Sequence, residues 1–323
     1  MERFPQALYP LLVCPGECKF PLKRRGEKLV CENSQCNKEY PVIEGVPVLI
    51  NAGHSLFSIE DFTRAKRITV QTPISTKRRL WGMLSKFIPS ISLNLIARRN
   101  YQKFRDLLLE ETPNPVVLIV GSGELGAGLK ELIEDTRFIF VESDVYFGRR
   151  VQLIADGHDL PFQSSAFDGV ICQAVLEHVV DPHRCVQEIH RVLKPRGLAY
   201  AEIPFMQQVH MQGYDFTRYT LGGFRLLFRN FQEVDAGTVG GPAMALTWSI
   251  SYFFGSFSRA RAWTFLKIAV LPYFIFWLKY FDYLLVNQPS SSDAASGVYL
   301  LGYKSDNTVS DLEILHKHWT YRQ

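Results

Sequence analysis

The sequence predicts an α/β chain organised around a doubly wound parallel sheet, with a small cysteine-bearing unit ahead of it. Three observations carry that expectation. Val116 to Gly126 reads VVLIVGSGELG, an apolar run that ends in a Gly-x-Gly-x-x-Gly loop, which is how a buried strand turns into a helix whose free N–H groups face an anion or a ribose. A second apolar run, RFIFVESDV, ends in two acids, Glu142 and Asp144. Four of the six cysteines fall between residues 14 and 36. The chain has 323 residues, 47% of them hydrophobic, enough for one large core and something small beside it.

At the N-terminus, MERFPQALYPLLVC has no extended apolar stretch after a basic start and no small-residue cleavage site, so export is not expected and the cytoplasm is the compartment. Clustered thiols in a reducing compartment suggest metal before disulfide. Cys14 and Cys18 are separated by three residues, Cys31 and Cys36 by four, and the pairs by twelve. Two short-spaced pairs can give one tetrahedral Zn2+ four thiolates and stabilise a segment too small to fold on its own core; unrelated thiols and two disulfides are the alternatives. KEYPVIEGVPVLI then supplies strand material around a turn.

The segment LLVCPGEC, LVCENSQC, YPVIEGVPVLI resembles the zinc-ribbon family whose free-standing members bind and activate methyltransferases, although the usual first pair there has two intervening residues. The resemblance implies a structural zinc held by Cys14, Cys18, Cys31 and Cys36. A ribbon is expected at 8–50 and a basic connector at 51–90. From Arg64 to Arg105 there are eleven Lys or Arg and no Asp or Glu, although the net charge of the chain is only +4.

The glycine loop alone fits NAD, S-adenosylmethionine or no ligand. An acid after the second strand suits a ribose in either cofactor. The next stretch discriminates. ADGHDLPFQSSAFDGVICQAVLEHVVDPHRCVQEIHRVLKPRGLAYAEIPF is similar to the middle of small-molecule class I methyltransferases: Asp156 before Leu-Pro-Phe, Phe167 with Asp168, Leu-Glu-His-Val at 176–179, and Arg-Val-Leu-Lys-Pro-x-Gly at 191–197. The resemblance implies a Rossmann-like seven-stranded sheet at 91–305 and S-adenosylmethionine as cofactor. Gly121 and Gly123 would approach its methionine part and Asp144 its ribose diol, Asp156 would accept from the adenine amine, and His158 and Leu160 would close over the ring. The family places an acid two residues before the first glycine, where this chain has Ile119; Glu124 is a nearby candidate for that charge. Cys172 and Cys185 read as core residues.

Methyl transfer from a sulfonium is an in-line displacement, so holding the acceptor in place is most of the task, and a hydroxyl acceptor needs a base. His178 follows the fourth strand of the sheet. PFMQQVHMQGYDFTRYT follows the fifth and brings His210, Tyr214, Asp215 and Arg218 to the same edge; His178, His210 and Asp215 are the catalytic candidates. The Tyr-Asp-Phe-x-Arg-Tyr-Thr segment looks like methyltransferases of sugar or lipid-linked substrates.

The last two strands are expected at FQEVDAGTVGG and GVYLLGYK, with an apolar helical insert at 243–287 between them and a tail at 306–323. WTFLKIAVLPYFIFWLKYFDYLL is interrupted by Lys267, Pro272, Lys279 and Asp282, and its uncharged run is too short for a bilayer, which needs about 20 residues. The insert is then either a buried substrate lid or a surface that dips into lipid at the inner face of the membrane. KRRLWGMLSK in the basic segment favours anionic lipid. The acceptor is expected to be a small molecule, lipid-linked or glycan-type. The rival readings are an RNA methyltransferase with a fused activator-like ribbon and a non-catalytic scaffold.

Overall fold

The computed structural model describes residues 3–63, 87–123, 125–258 and 260–321. Its strands are β1 (Leu22–Arg25), β2 (Lys28–Cys31), β3 (Glu39–Ile43), β4 (Val46–Leu49), β5 (Val116–Val120), β6 (Ile139–Asp144), β7 (Leu153–Ala155), β8 (Phe167–Gln173), β9 (Leu193–Pro204), β10 (Phe231–Gly240) and β11 (Gly297–Lys304). They are ordered β1-β2-β3-β4-β7-β6-β5-β8-β9-β11-β10. From β7 to β9 neighbours run parallel, and β11 enters antiparallel between β9 and β10.

The expected seven-stranded sheet is thus present as the stretch β7 to β10, but the sheet does not stop there. It has eleven strands among the described residues, because β4 pairs in parallel with β7, Val48 opposite Ile154 and Leu49 opposite Ala155. β3 and β4 form a hairpin over Glu44 and Gly45, both at positive φ (51° and 79°), the conformation that two-residue hairpin turns require. Val46, Val48 and Ile50 pack with Phe62, Val151 and Ile154 in one buried cluster. The N-terminal unit therefore shares its core with the sheet edge.

Helices α1 (Ile59–Thr63), α2 (Ala97–Glu111), α3 (Lys130–Ile133), α4 (Pro182–Val192) and α5 (Leu221–Leu227) connect the strands. α2 starts where the Asn94 side chain accepts from the amides of Ile96 and Ala97 at 3.2 and 2.9 Å. It buries Ala97, Tyr101, Phe104 and Leu108, the three-and-four spacing of one helical face. α4 begins with Asp181 capping the Arg184 amide at 3.0 Å and Pro182 in its first turn, a favoured start. Asp168 accepts from the Val116 amide at 2.9 Å and from Lys194 at 2.8 Å, tying β5, β8 and β9 together.

The insert forms α6 (Pro242–Gly255) and a helical run, α7 (Ala262–Leu285); the chain ends in α8 (Asp311–Tyr321). The expectation that charges and Pro272 leave α7 too short to cross a bilayer is corrected. It runs 24 residues, long and apolar enough by length and composition. Locally the ladder shifts to i+5 bonding at Leu266–Val270 and to tighter turns at Phe276–Phe281, and the run continues past the proline.

Its interrupting charges turn inward. Lys279 reaches the Ser90 carbonyl at 2.5 Å, and the Asp282 carboxylate accepts from the Ala243 and Met244 amides at 2.9 Å, capping α6. Lys267 lies 4.3 Å from the centroid of the Tyr252 ring. The apolar side chains face out: Phe274 is 70% exposed, Leu284 69% and Trp277 50%. KRRLWGMLSK, with Trp81, lies outside the described residues. Further along the basic segment, Arg98, Lys103 and Arg105 are paired with Glu131, Asp235 and Asp106.

Candidate active site

β5 has β6 on one side and β8 on the other, so the loops leaving their C-terminal ends part there and open a crevice. A cavity of about 610 Å3 fills it, within the range of small-molecule sites. Its floor is the glycine loop. Gly121 sits at φ 78°, and a Cβ there would lie 2.2 Å from Val175 Cγ2, so only glycine fits. A Cβ on Gly126 would lie 1.5 Å from Gln173 Oε1; at that point the loop backbone touches the end of β8. Glu124 lies outside the described residues.

At one end of the cavity the Asp144 carboxylate accepts from the Gly123 amide at 2.7 Å and the Tyr146 amide at 3.0 Å. Burial raises its pKa, and those backbone donors oppose the rise. Glu142 is occupied by a two-pronged contact with Arg150, at 2.5 and 2.8 Å. At the other end, Glu202 of β9 is buried but still lines the cavity. Tyr200 Oη donates to it, as does Gln173 Nε2 at 2.8 Å. Burial still pushes Glu202 up to about 7 against both donors.

Asp156, His158 and Leu160 do not line the cavity. All three are buried, and the Asp156 carboxylate has three donors. It accepts from Ser55 Oγ at 2.5 Å, the His158 amide at 3.0 Å and His158 Nδ1 at 2.6 Å, while His158 Nε2 accepts from the Asp181 amide at 3.1 Å. Burial would raise the Asp156 pKa, but these donors outweigh it and the net shift is downward. The competing partner, Ser55, comes from the segment that leaves β4. Two residues on, Phe57 enters the cavity wall and stacks against Tyr214, centroids 6.0 Å apart and planes at 15°. Nothing in the periodicity near Phe57 marks it as a site residue; its place follows from the β4–β7 pairing.

His178 and His210 both reach the cavity, their rings 4.9 Å apart and edge-on. His178 Nδ1 lies 2.6 Å from the Tyr214 carbonyl, so Nδ1 carries the proton and Nε2 keeps its lone pair. Burial lowers the His178 pKa. Asp215 does not line the cavity. Its carboxylate is gripped by both terminal nitrogens of Arg218 and accepts from the His210 amide at 2.8 Å. Those contacts, the Arg218 pair first, hold it far below the ordinary range. It orients His210 rather than taking a proton.

Glu177 is buried with neither oxygen hydrogen-bonded, 3.6 Å from His178 Nε2. Glu177, His178 and His210 offer ligand atoms within 4.8 Å of one another, a spacing that a metal ion could bridge.

In the N-terminal unit, Cys14 and Cys36 sulfurs are 3.7 Å apart, Cys18 and Cys31 sulfurs 3.4 Å, and all four lie within 4.8 Å of one another. A tetrahedron of thiolates about 2.3 Å from one Zn2+ has edges near 3.8 Å. The donor set fits that ion.

Residues 138–201 match the methyltransferase domain family. That span holds β6, Asp144, Asp156, β8 and His178. A demethylmenaquinone methyltransferase of Clavibacter sepedonicus is 37% identical over 75 residues, 23% of this chain and 26% of that protein. A ubiquinone biosynthesis O-methyltransferase of Xanthomonas oryzae pv. oryzae is 39% identical over 67 residues, 21% and 27%. The chain thus matches about a quarter of the length of these curated relatives. Similar solved structures include Burkholderia thailandensis 1,6-didemethyltoxoflavin-N1-methyltransferase with bound S-adenosylhomocysteine, at 12% identity and TM-score 0.38, covering 73% of this chain and 94% of that one. Another is a Haemonchus contortus phosphoethanolamine N-methyltransferase, at 12% identity and TM-score 0.42, covering 72% and 58%.

Burial raises the Glu177 pKa from 4.5 to about 8, so the folded chain keeps a proton that the unfolded chain releases in that window. Stability from this group is fully present below 4.5 and is lost as pH rises through 8. Glu177→Gln mimics the neutral form and does not titrate. Its unfolding midpoint should therefore gain on the wild type as pH is raised from about 5 to about 9; parallel curves would contradict the assignment.

Proposed function

We propose that the chain is an S-adenosylmethionine-dependent methyltransferase whose acceptor is an apolar or lipid-linked hydroxyl compound met at a membrane surface. The observation that carries the activity is the Asp144 carboxylate docked on the Gly123 amide at the mouth of a switch-point cavity, inside the span that matches methyltransferase domains. The cradle fits the cofactor: Gly121 and Gly123 allow close approach, Asp144 has the acceptor a ribose diol needs, and Ile119, Ala155 and Ile171 give apolar walls. When bound, the cofactor supplies a methyl activated by its sulfonium. The protein holds the acceptor and manages its proton. His178 Nε2, neutral and fixed by the Tyr214 carbonyl, takes the hydroxyl proton as the oxygen gains the methyl. His210, steadied by Asp215, shares that end of the cavity.

Cys14, Cys18, Cys31 and Cys36 hold a structural zinc in this reading, and the ribbon serves in place as the activator-like unit its sequence resembles. The outward apolar face of α6 and α7 is the membrane surface, placed at the cytoplasmic leaflet. A buried lid would cover those aromatics, whereas 22% of the most apolar window of α7 is buried. The names of the two relatives, with menaquinone and ubiquinone in them, are in keeping with an apolar acceptor. Nucleic acid is disfavoured because Arg98, Lys103 and Arg105 already have acidic partners.

Calorimetry should detect S-adenosylhomocysteine binding, weakened about 10- to 100-fold in Asp144→Ala, the loss expected on removing a charged hydrogen-bond acceptor. Tight NAD binding with no response to S-adenosylhomocysteine would reject the reading. For the membrane, the protein should sediment with anionic liposomes at low salt, partly release in high salt, and release further in Phe274→Ser/Trp277→Ser. A protein that stays in the supernatant at low salt refutes the surface role.

A further inference from the structure

Resting on the cofactor reading above, the geometry points to Glu202 and Gln173 as the receptors of the cofactor's α-ammonium group. S-adenosylmethionine carries an amino-acid tail whose ammonium has three N–H donors and a full positive charge, and a buried cation of that kind needs a carboxylate and further acceptors. Among the described residues, three carboxylates line the cavity: Glu142, Asp144 and Glu202. Glu142 is taken by Arg150. Asp144 lies at the Gly123 end, with the ribose assigned to it.

Glu202 differs from both: it is buried, and its donors, Tyr200 and Gln173, are neutral. The titratable groups facing it are Tyr200 on its own strand, Tyr101 from α2 and Glu177 from the turn after β8, and none is a cation. Beside it, Gln173 Oε1 is a buried acceptor with no donor. That atom stands where the glycine loop presses closest, against Gly126, and Gln173 Nε2 also reaches the Ala127 carbonyl at 3.4 Å. An uncompensated carboxylate and an orphaned amide oxygen therefore share one end of the cavity, opposite Asp144. A ligand with its ribose on Asp144 and its body along the glycine loop brings its tail to that end. The ammonium satisfies both groups at once. On β5 the side chains that line the cavity, Ile119 and Val120, cannot take the charge.

The test compares two thioethers, S-adenosylhomocysteine, which has the amino-acid tail with its ammonium, and 5′-methylthioadenosine, which lacks the tail. In Glu202→Gln, calorimetry should show S-adenosylhomocysteine affinity down about 10- to 100-fold and 5′-methylthioadenosine affinity unchanged. Equal losses for both ligands, or none for either, overturn the assignment. So does a loss confined to S-adenosylmethionine, which would put the carboxylate against the sulfonium. If the wild type binds 5′-methylthioadenosine but gains nothing from the tail, the subsite falls and the cofactor reading stands; if it binds neither ligand, both fall. A measurement on the unaltered protein guards against a variant that misfolds. Near neutral pH, buffers of different ionisation enthalpy should reveal proton release when S-adenosylhomocysteine binds, because the ammonium forces Glu202 to ionise, and none when 5′-methylthioadenosine binds. Equal proton release by the two ligands counts against the proposal.

Discussion

The parallel pairing of β4 with β7 is the constraint on which the cavity depends. It turns an N-terminal unit into the outermost part of the sheet and fixes the direction of the chain that follows. That chain, from Asn51 to Phe57, lies over the turn at 156–159. The Asp159 carboxylate gathers it: Asn51 Nδ2 donates at 2.8 Å, His54 Nδ1 lies at 2.7 Å, and Arg184 and Lys19 approach at 3.3 and 3.5 Å. Burial would raise the Asp159 pKa, and these partners more than reverse it. With Ser55 on Asp156 and Phe57 in the cavity wall, the segment leaving the N-terminal unit and the crevice form one structure.

Much of this was legible in the sequence because it is local. The strand limits at Phe231–Gly240 and Gly297–Lys304 follow from apolar runs and their turns, and the glycine loop declares itself because Val175 and Gln173 leave no room for a Cβ. The partners of Asp156 were not legible, since they include Ser55, 101 residues away. Glu202 escaped for the same reason. Its setting is made by Tyr200, Gln173 and Tyr101 from three elements, and in sequence it is one acid in a strand. Asp215 looked like a base because its type allows it; Arg218, three residues on, removes that option.

The insert shows how composition misleads when direction is unknown. Lys267, Lys279 and Asp282 read as interruptions of an apolar helix, yet each faces protein and is used there, leaving an aromatic surface outside. Burying an aromatic side chain is worth about 2 kcal/mol, so several such side chains left in water represent a sizeable unspent driving force. Under the proposed function, a lipid surface would satisfy it.

That the β4–β7 pairing carries the segment holding Phe57 into the cavity wall is tested most directly by perturbing the four-cysteine unit and watching the opposite side of the seam. With the proposed zinc held by Cys14, Cys18, Cys31 and Cys36, hydrogen exchange should accelerate in 153–159 as well as in the N-terminal unit when a chelator is added, and S-adenosylhomocysteine affinity should fall with it. Faster exchange confined to the N-terminal unit, with 153–159 and the affinity unchanged, would show two independent units and contradict the account.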